Sequence, residues 1–137
     1  MADRIRKVAY YYTVVPNRPG AGAKILRALR EAKVNLLAFS GFPEQGGAQL
    51  DFVPEVRAAF LNAARRAGVK LSARKTGFLV TGDDRVGACS RVLDKLAAAR
   101  INLVAMDAVT AGKGRFGALF WVRPAEVAKA ARALGAR

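Results

Sequence analysis

The sequence contains no histidine. That zero removes the commonest acid–base group near neutral pH, every histidine-based catalytic triad and the usual zinc and iron ligands. Cysteine is almost as scarce. Cys89 stands alone among 137 residues, so no intrachain disulfide forms and no cysteine cluster holds a metal. No apolar run approaches the roughly 20 residues needed to span a bilayer. Residues 1–7 carry charges without the apolar core of a signal peptide. A P-loop and a Gly-x-Ser-x-Gly elbow are also missing. The expectation is a soluble, cytoplasmic protein that is not an enzyme, with no catalytic residue, no metal site, no cofactor and no membrane partner.

Acidic residues are few as well. Ten Asp and Glu face 24 Lys and Arg, a formal net charge of +14. Such a balance points towards nucleic acid or another anionic partner. Its distribution points the other way. Residues 1–72 and residues 73–137 each carry 12 basic and 5 acidic side chains, with no basic tail or block. Much of the excess is arginine in alanine-rich stretches, where it is a good helix former.

What is present is a repeat. Asn17-Arg18-Pro19-Gly20-Ala21-Gly22 leads into an amphipathic run and then Val34-Asn35-Leu36. Asp83-Asp84-Arg85-Val86-Gly87-Ala88 leads into a second amphipathic run and then Ile101-Asn102-Leu103. Arg18 and Arg85, Gly20 and Gly87, Leu29 and Leu96, and Asn35 and Asn102 are all 67 positions apart. A gap-free match through turn, helix and strand is an internal duplication. It divides the chain into a first unit, residues 1–72, and a second, residues 73–137, with no Ser- or Pro-rich linker between them. Either alone would bury little core.

In the first unit, β-branched and aromatic residues predict a strand over 8–15, and an apolar stripe at helical spacing predicts a helix over 22–33. Strands follow over 34–40 and 48–53, joined by a glycine- and proline-bearing connection over 41–47. Pro54 suits the first turn of a helix that repeats Val56, Ala59, Phe60, Ala63 and Ala67. A short fourth strand over 69–73 completes a βαββαβ unit. The second unit repeats this with strands over 77–81, 101–109 and 116–122 and helices over 86–99 and from Pro124 onward, but it lacks the last strand. A partner chain, a linker or the N-terminal segment must cover the sheet edge left open.

A βαββαβ unit with Asn17-Arg18-Pro19-Gly20 in its first turn and Val34-Asn35-Leu36 opening its second strand resembles the ACT domain family. The second unit keeps Asp84, Arg85 and Gly87 of that turn, has Val86 in place of proline, and repeats the strand opening with Ile101-Asn102-Leu103. The resemblance implies an α+β fold of two ferredoxin-like units in tandem, antiparallel sheets with helices on one side. It also implies a regulatory module that binds a small ligand, usually an amino acid, between the first turn of one unit and the second strand of its neighbour. Any regulated activity would belong to another protein.

The residues support that reading on their own terms. A glycine turn feeding a helix presents backbone N–H groups with a favourable dipole, which suits a carboxylate. Asn35 and Asn102 offer donor and acceptor, or alternatively cap the turn through side-chain bonds to the backbone. Asp83 and Asp84 offer carboxylates to an α-ammonium. The candidate ligand residues are therefore Asn17, Arg18, Pro19, Gly20, Ala21, Gly22, Asn35, Asp83, Asp84, Arg85, Val86, Gly87, Ala88 and Asn102. Asp51 and Asp107 read as solvated-face residues, and Cys89 as a small core residue. The sheet face opposite the helices includes part of Tyr10–Tyr12 and of the 116–121 strand, which predicts a homodimer through it.

The alternative is nucleic-acid binding. RNA-recognition motifs share the βαββαβ topology and stack bases on strand aromatics. Lys113-Gly114-Arg115-Phe116-Gly117-Ala118-Leu119-Phe120 echoes their third-strand signature, with Phe78 on the matching first strand. Arg115 interrupts the Gly-Phe step, and Ala118 stands where a second stacking aromatic belongs.

Overall fold

The computed structural model describes residues 3–137. In chain order the elements are β1 (Arg4–Pro16), α1 (Ala21–Glu31), β2 (Leu36–Glu44), β3 (Gly47–Pro54), α2 (Arg57–Arg66), β4 (Lys75–Asp83), α3 (Ala88–Ala98), β5 (Ala105–Thr110), β6 (Arg115–Trp121) and α4 (Val127–Leu134). A 3-10 turn over Pro124–Glu126 leads into α4, with the proline in its first turn. They form two compact α+β units. One is Ala9–Lys75, and the other is Thr76–Arg137 together with the residues up to Val8. No helix among the described residues is long and apolar enough to cross a membrane.

In the Ala9–Lys75 unit the strand order is β2-β3-β1, antiparallel throughout, with Tyr11 opposite Phe52 and Phe39 opposite Phe52 from the other side. Helices α1 and α2 pack on each other and on this sheet. Leu29 from α1 and Phe60 from α2 meet Tyr11, Leu50 and Phe52 in the core. Phe60 lies 5.7 Å from Tyr11 and 5.5 Å from Phe52 between ring centroids. The apolar stripe of α1 is the reason this helix settles where it does, since its polar face carries Lys24, Arg27 and Arg30 outward.

In the other unit the order is β4-β6-β5, again antiparallel, with β1 on the free side of β4. Phe78, Val80, Val92, Leu96 and Phe120 make its core, and Ile5 joins them from β1. The edge expected to lack a last strand is thus covered by the chain's own N-terminal residues. Three features hold them: Ile5 in the core, the Asp3–Arg85 ion pair at 3.2 Å, and the Lys7 N–H donating to the Arg137 carbonyl at 2.9 Å.

Several expectations need correction. Residues 69–73 form no strand. Ser72 N–H donates to the Tyr12 carbonyl at 2.8 Å, but the Tyr12 N–H donates to the Ser72 hydroxyl, not to a backbone carbonyl, so no ladder develops. The connection expected over 41–47 shrinks to Gln45-Gly46, because β2 runs on through Gly41, Phe42 and Pro43. Pro43 is tolerated there because β2 is an edge strand. Pro54 ends β3, and α2 starts only at Arg57. Val56, Ala59 and Ala67 are exposed, and the buried stripe of α2 is Phe60, Ala63 and Ala64.

Asp51 is buried, 1% exposed, not solvated, and its Oδ1 accepts from Gln49 Nε2 at 3.0 Å. Asp107 is exposed as expected, and Cys89 is half-buried against the core. The sheet face on which the homodimer expectation rested carries Tyr10 in one unit and Leu119 and Trp121 in the other. Tyr10 and Trp121 are each 7% exposed and Leu119 6%.

Candidate functional site

The two strand-to-helix turns are built alike. In the first, Arg18 N–H donates to the Pro16 carbonyl at 2.9 Å, and Ala21 N–H donates to the Arg18 carbonyl at 3.3 Å. Gly20 then opens α1 at φ 89°, a left-handed conformation that glycine adopts without steric cost. In the second, Ala88 N–H donates to the Arg85 carbonyl at 3.2 Å and Gly87 opens α3 at φ 82°. Neither helix has a side-chain cap, and neither carries an acid in its first turn. The first-turn N–H groups therefore have no side-chain acceptor to compete with a ligand. Val86, in the place of Pro19, leaves the turn geometry unchanged and its own side chain fully exposed.

Within each unit the candidate residues divide between separate surfaces. Asn17, Arg18, Pro19 and Gly20 are exposed, and Ala21 and Gly22 are half-buried. Asn35 lies just before β2 and not in it, and its carbonyl accepts from Glu55 N–H at 3.0 Å. Its cleft, about 470 Å³, sits at the far end of α1 beside Arg30 and Lys33, away from the turn. In the second unit a cleft of about 310 Å³ brings together Asp84, Arg85, Gly87 and Ala88. Asp83, Val86 and Asn102 do not line it. Cys89, Ser90, Val109, Thr110 and Phe116 do. Sequence reasoning missed that group because it looked for the second strand's contribution at Asn102. The β-strand itself starts only at Ala105, and its far end is what reaches the turn.

The charges in the second turn are mostly engaged. Arg85 binds both carboxylate oxygens of Asp3, at 3.2 and 3.3 Å, and donates to the Asp83 carbonyl at 2.9 Å. Asp83 accepts from Arg115 at 2.7 Å, and that hydrogen bond holds its carboxyl below the usual aspartate range. Of the two neighbouring acids only Asp84 lines the cleft. In the first turn no described carboxylate pairs with Arg18. Among the described residues no cluster of three or more metal-ligating acids or cysteines occurs.

The aromatics of the nucleic-acid alternative are core residues. Phe78 and Phe120 are fully buried and stacked on each other at 5.1 Å, and Phe116 is 6% exposed. None can stack on a base without leaving the interior.

Comparison with solved structures places the fold. The chain superposes on protein BT0572 from Bacteroides thetaiotaomicron with a TM-score of 0.77 at 16% identity, over 97% of this chain and 88% of that one. The regulatory subunit of aspartate kinase from Thermus thermophilus, in its ligand-free form, gives 0.63 at 16% identity over 98% and 93%. The corresponding regulatory subunit from Thermus flavus gives 0.61 at 21% over 98% and 94%. What these proteins share with this chain is the fold. No model of a known protein family matches the chain, and no curated protein does.

Proposed function

We propose that this chain is a regulatory module made of two ACT-type units in tandem, dividing between residues 72 and 76, that binds a small molecule at its strand-to-helix turns. The ligand class is an amino acid. The observation that carries the reading is the pair of uncapped helix N-termini, each entered through a left-handed glycine, at Gly20 and Gly87. Such an end attracts a carboxylate. In the second unit Asp84 stands in the same cleft to take an ammonium, so both charges of an α-amino acid have a complement there. The fold adds support, because the same architecture serves as the regulatory subunit of aspartate kinase in two Thermus proteins. In this reading the chain performs no chemistry itself and acts on a protein partner through the occupancy of the turns. The rival nucleic-acid reading keeps only the net charge of +14 in its favour.

A thermal-shift screen of the common amino acids tests the proposal, because a ligand that binds only the folded state must raise the melting temperature. One amino acid raising it at both low and high salt, with the effect removed by Asp84→Ala, supports the second turn as the site. Silence from every amino acid refutes the ligand class. A shift from single-stranded RNA alone that collapses at high salt would replace this reading with the rival one.

A further inference from the structure

The first unit contains a cleft of about 520 Å³ that the turn-based reading does not explain. Its walls come from three places: the end of β1 with the following Arg18, the first half of α1 with Lys24 and Ile25, and the connection after α2 with Val69 and Lys70. The Thr13 hydroxyl donates to the Lys70 carbonyl at 2.7 Å, which pins that connection against β1 and gives the cleft a fixed wall. Three lining side chains are cations and none is an acid. Arg18, Lys24 and Lys70 are not engaged in ion pairs; the ion pairs of the described residues use Arg85, Arg115 and Arg123. Three like charges around one concavity repel one another, and an anion between them reverses the sign of that interaction.

The duplication supplies an internal comparison. At the same interval of 67 the equivalents of Arg18, Lys24 and Lys70 are Arg85, Arg91 and Arg137. There, Asp3 neutralises the first of them and the Arg137 carbonyl is taken by Lys7 N–H. The N-terminal segment supplies a carboxylate to the turn arginine of one unit, while in the other unit no acid lines the cleft that holds the three cations.

We propose that the cleft of the first unit binds a small organic dianion, its two charges held by Arg18, Lys24 and Lys70 and its carbon skeleton resting on Val15, Ile25 and Val69. A volume of about 520 Å³ lies within the range of small-ligand sites. The dianion is a phosphate group or a pair of carboxylates, which present the same charge to the same cations. The site shares Arg18 with the proposed amino-acid turn but depends on Lys24 and Lys70, which that reading does not use.

Calorimetric titration of the intact chain with inorganic phosphate, with succinate and with acetate, at one ionic strength set by chloride, tests it. Saturable binding of phosphate or succinate at one site per chain is expected, with acetate weaker by about tenfold or more. Phosphate binding alone assigns a phosphorylated ligand, and succinate binding alone assigns a dicarboxylate. Lys24→Ala and Lys70→Ala, both exposed side chains, should each weaken binding by about tenfold. Arg132→Ala, an equal charge change on α4, should leave it unaltered. The amino-acid thermal shift, measured on Lys70→Ala as well, keeps the two proposals apart. Its failure leaves the dianion result standing, and retained dianion affinity in the lysine variants overturns the present proposal whatever the amino acids do. Absence of saturable binding by either dianion overturns it too.

Discussion

If residues 4–8 complete the second unit, the contact between Asp3 and Gly82 is where that arrangement is most easily broken. Gly82 is buried beside Phe116, and a Cβ built on it would stand 2.9 Å from Phe116 Cε1, 2.9 Å from the Asp3 carboxyl carbon and impossibly close to its Oδ1. In Gly82→Ala the Asp3 side chain must swing away and give up Arg85, a half-buried ion pair. Losing a pair of this kind costs about 0.5–1 kcal/mol. The Phe116 ring must also shift within a packed core, and overpacking of that kind costs about 1–3 kcal/mol. The expected destabilisation is therefore about 1.5–4 kcal/mol, read from urea unfolding with an unchanged m-value.

Part of this cost belongs to Asp3, so the substitutions should not be additive. Asp3→Ala alone should cost about 0.5–1 kcal/mol. In the double variant the carboxylate collision is gone and only the Phe116 contact remains, so the combined cost should fall short of the sum by about 0.5–1 kcal/mol. Additivity within about 0.3 kcal/mol would refute the reasoning. It would mean that Asp3 does not lie over Gly82 and that the N-terminal residues do not close this edge.

Other consequences follow from single side chains. Gly20→Ala and Gly87→Ala should each cost about 1–2 kcal/mol in denaturant unfolding, from the left-handed backbone alone, since nothing stands within 4 Å of the added carbon at either position. Phe60→Ala empties the centre of the first unit's core and should cost about 3–5 kcal/mol, with far-ultraviolet circular dichroism checking that the remainder folds. Burial, followed by the charges of Asp51 and Tyr12, pushes the Tyr10 phenol from 10.0 up to about 12. Because the folded state holds this proton more tightly, its contribution to stability is complete below pH 10 and is lost as the pH rises through 12. Phenolate absorbance should show a late-titrating component that is absent in Tyr10→Phe.

The fold was legible because the repeat carried it. The 67-residue interval places α1 over α3, β3 over β6 and α2 over α4, and it holds for backbone angles too. Gly20 and Gly87 share a left-handed φ, as do Lys33 at 60° and Arg100 at 58°. The glycines announce that conformation in sequence; Lys33 and Arg100 do not, since a basic residue is an unremarkable helix end until its angle is measured. Asp51 was misread for a different reason. Alternation puts it on the face opposite the helices, and only tertiary structure decides whether that face meets water. Strand 69–73 failed on one side chain, because the Ser72 hydroxyl takes the N–H that a ladder would have paired. Of the geometry at the turns, the left-handed glycines and the closeness of Asp84 to Gly87 were readable. The part played by the end of β5 was not, because it depends on where that strand lies beside β6.

The two turns therefore repeat in shape and differ in charge. An arginine begins each turn region, at Arg18 and Arg85, but Arg85 is bound to Asp3 and to the Asp83 carbonyl, while among the described residues no carboxylate pairs with Arg18. Backbone geometry survives duplication because the chain must turn sharply in both copies, and few residues besides glycine allow it. Side-chain charge carries no such constraint, so one copy has a fixed internal counter-ion while the other leaves Arg18, Lys24 and Lys70 exposed. The internal carboxylate in the second unit occupies the arginine that a ligand's negative charge would otherwise seek. An anionic ligand should accordingly prefer the first unit, and a zwitterion with an ammonium for Asp84 should prefer the second. Were both proposed sites to bind, two chemically different ligands would need no difference in fold between the copies, only the one ion pair at Asp3.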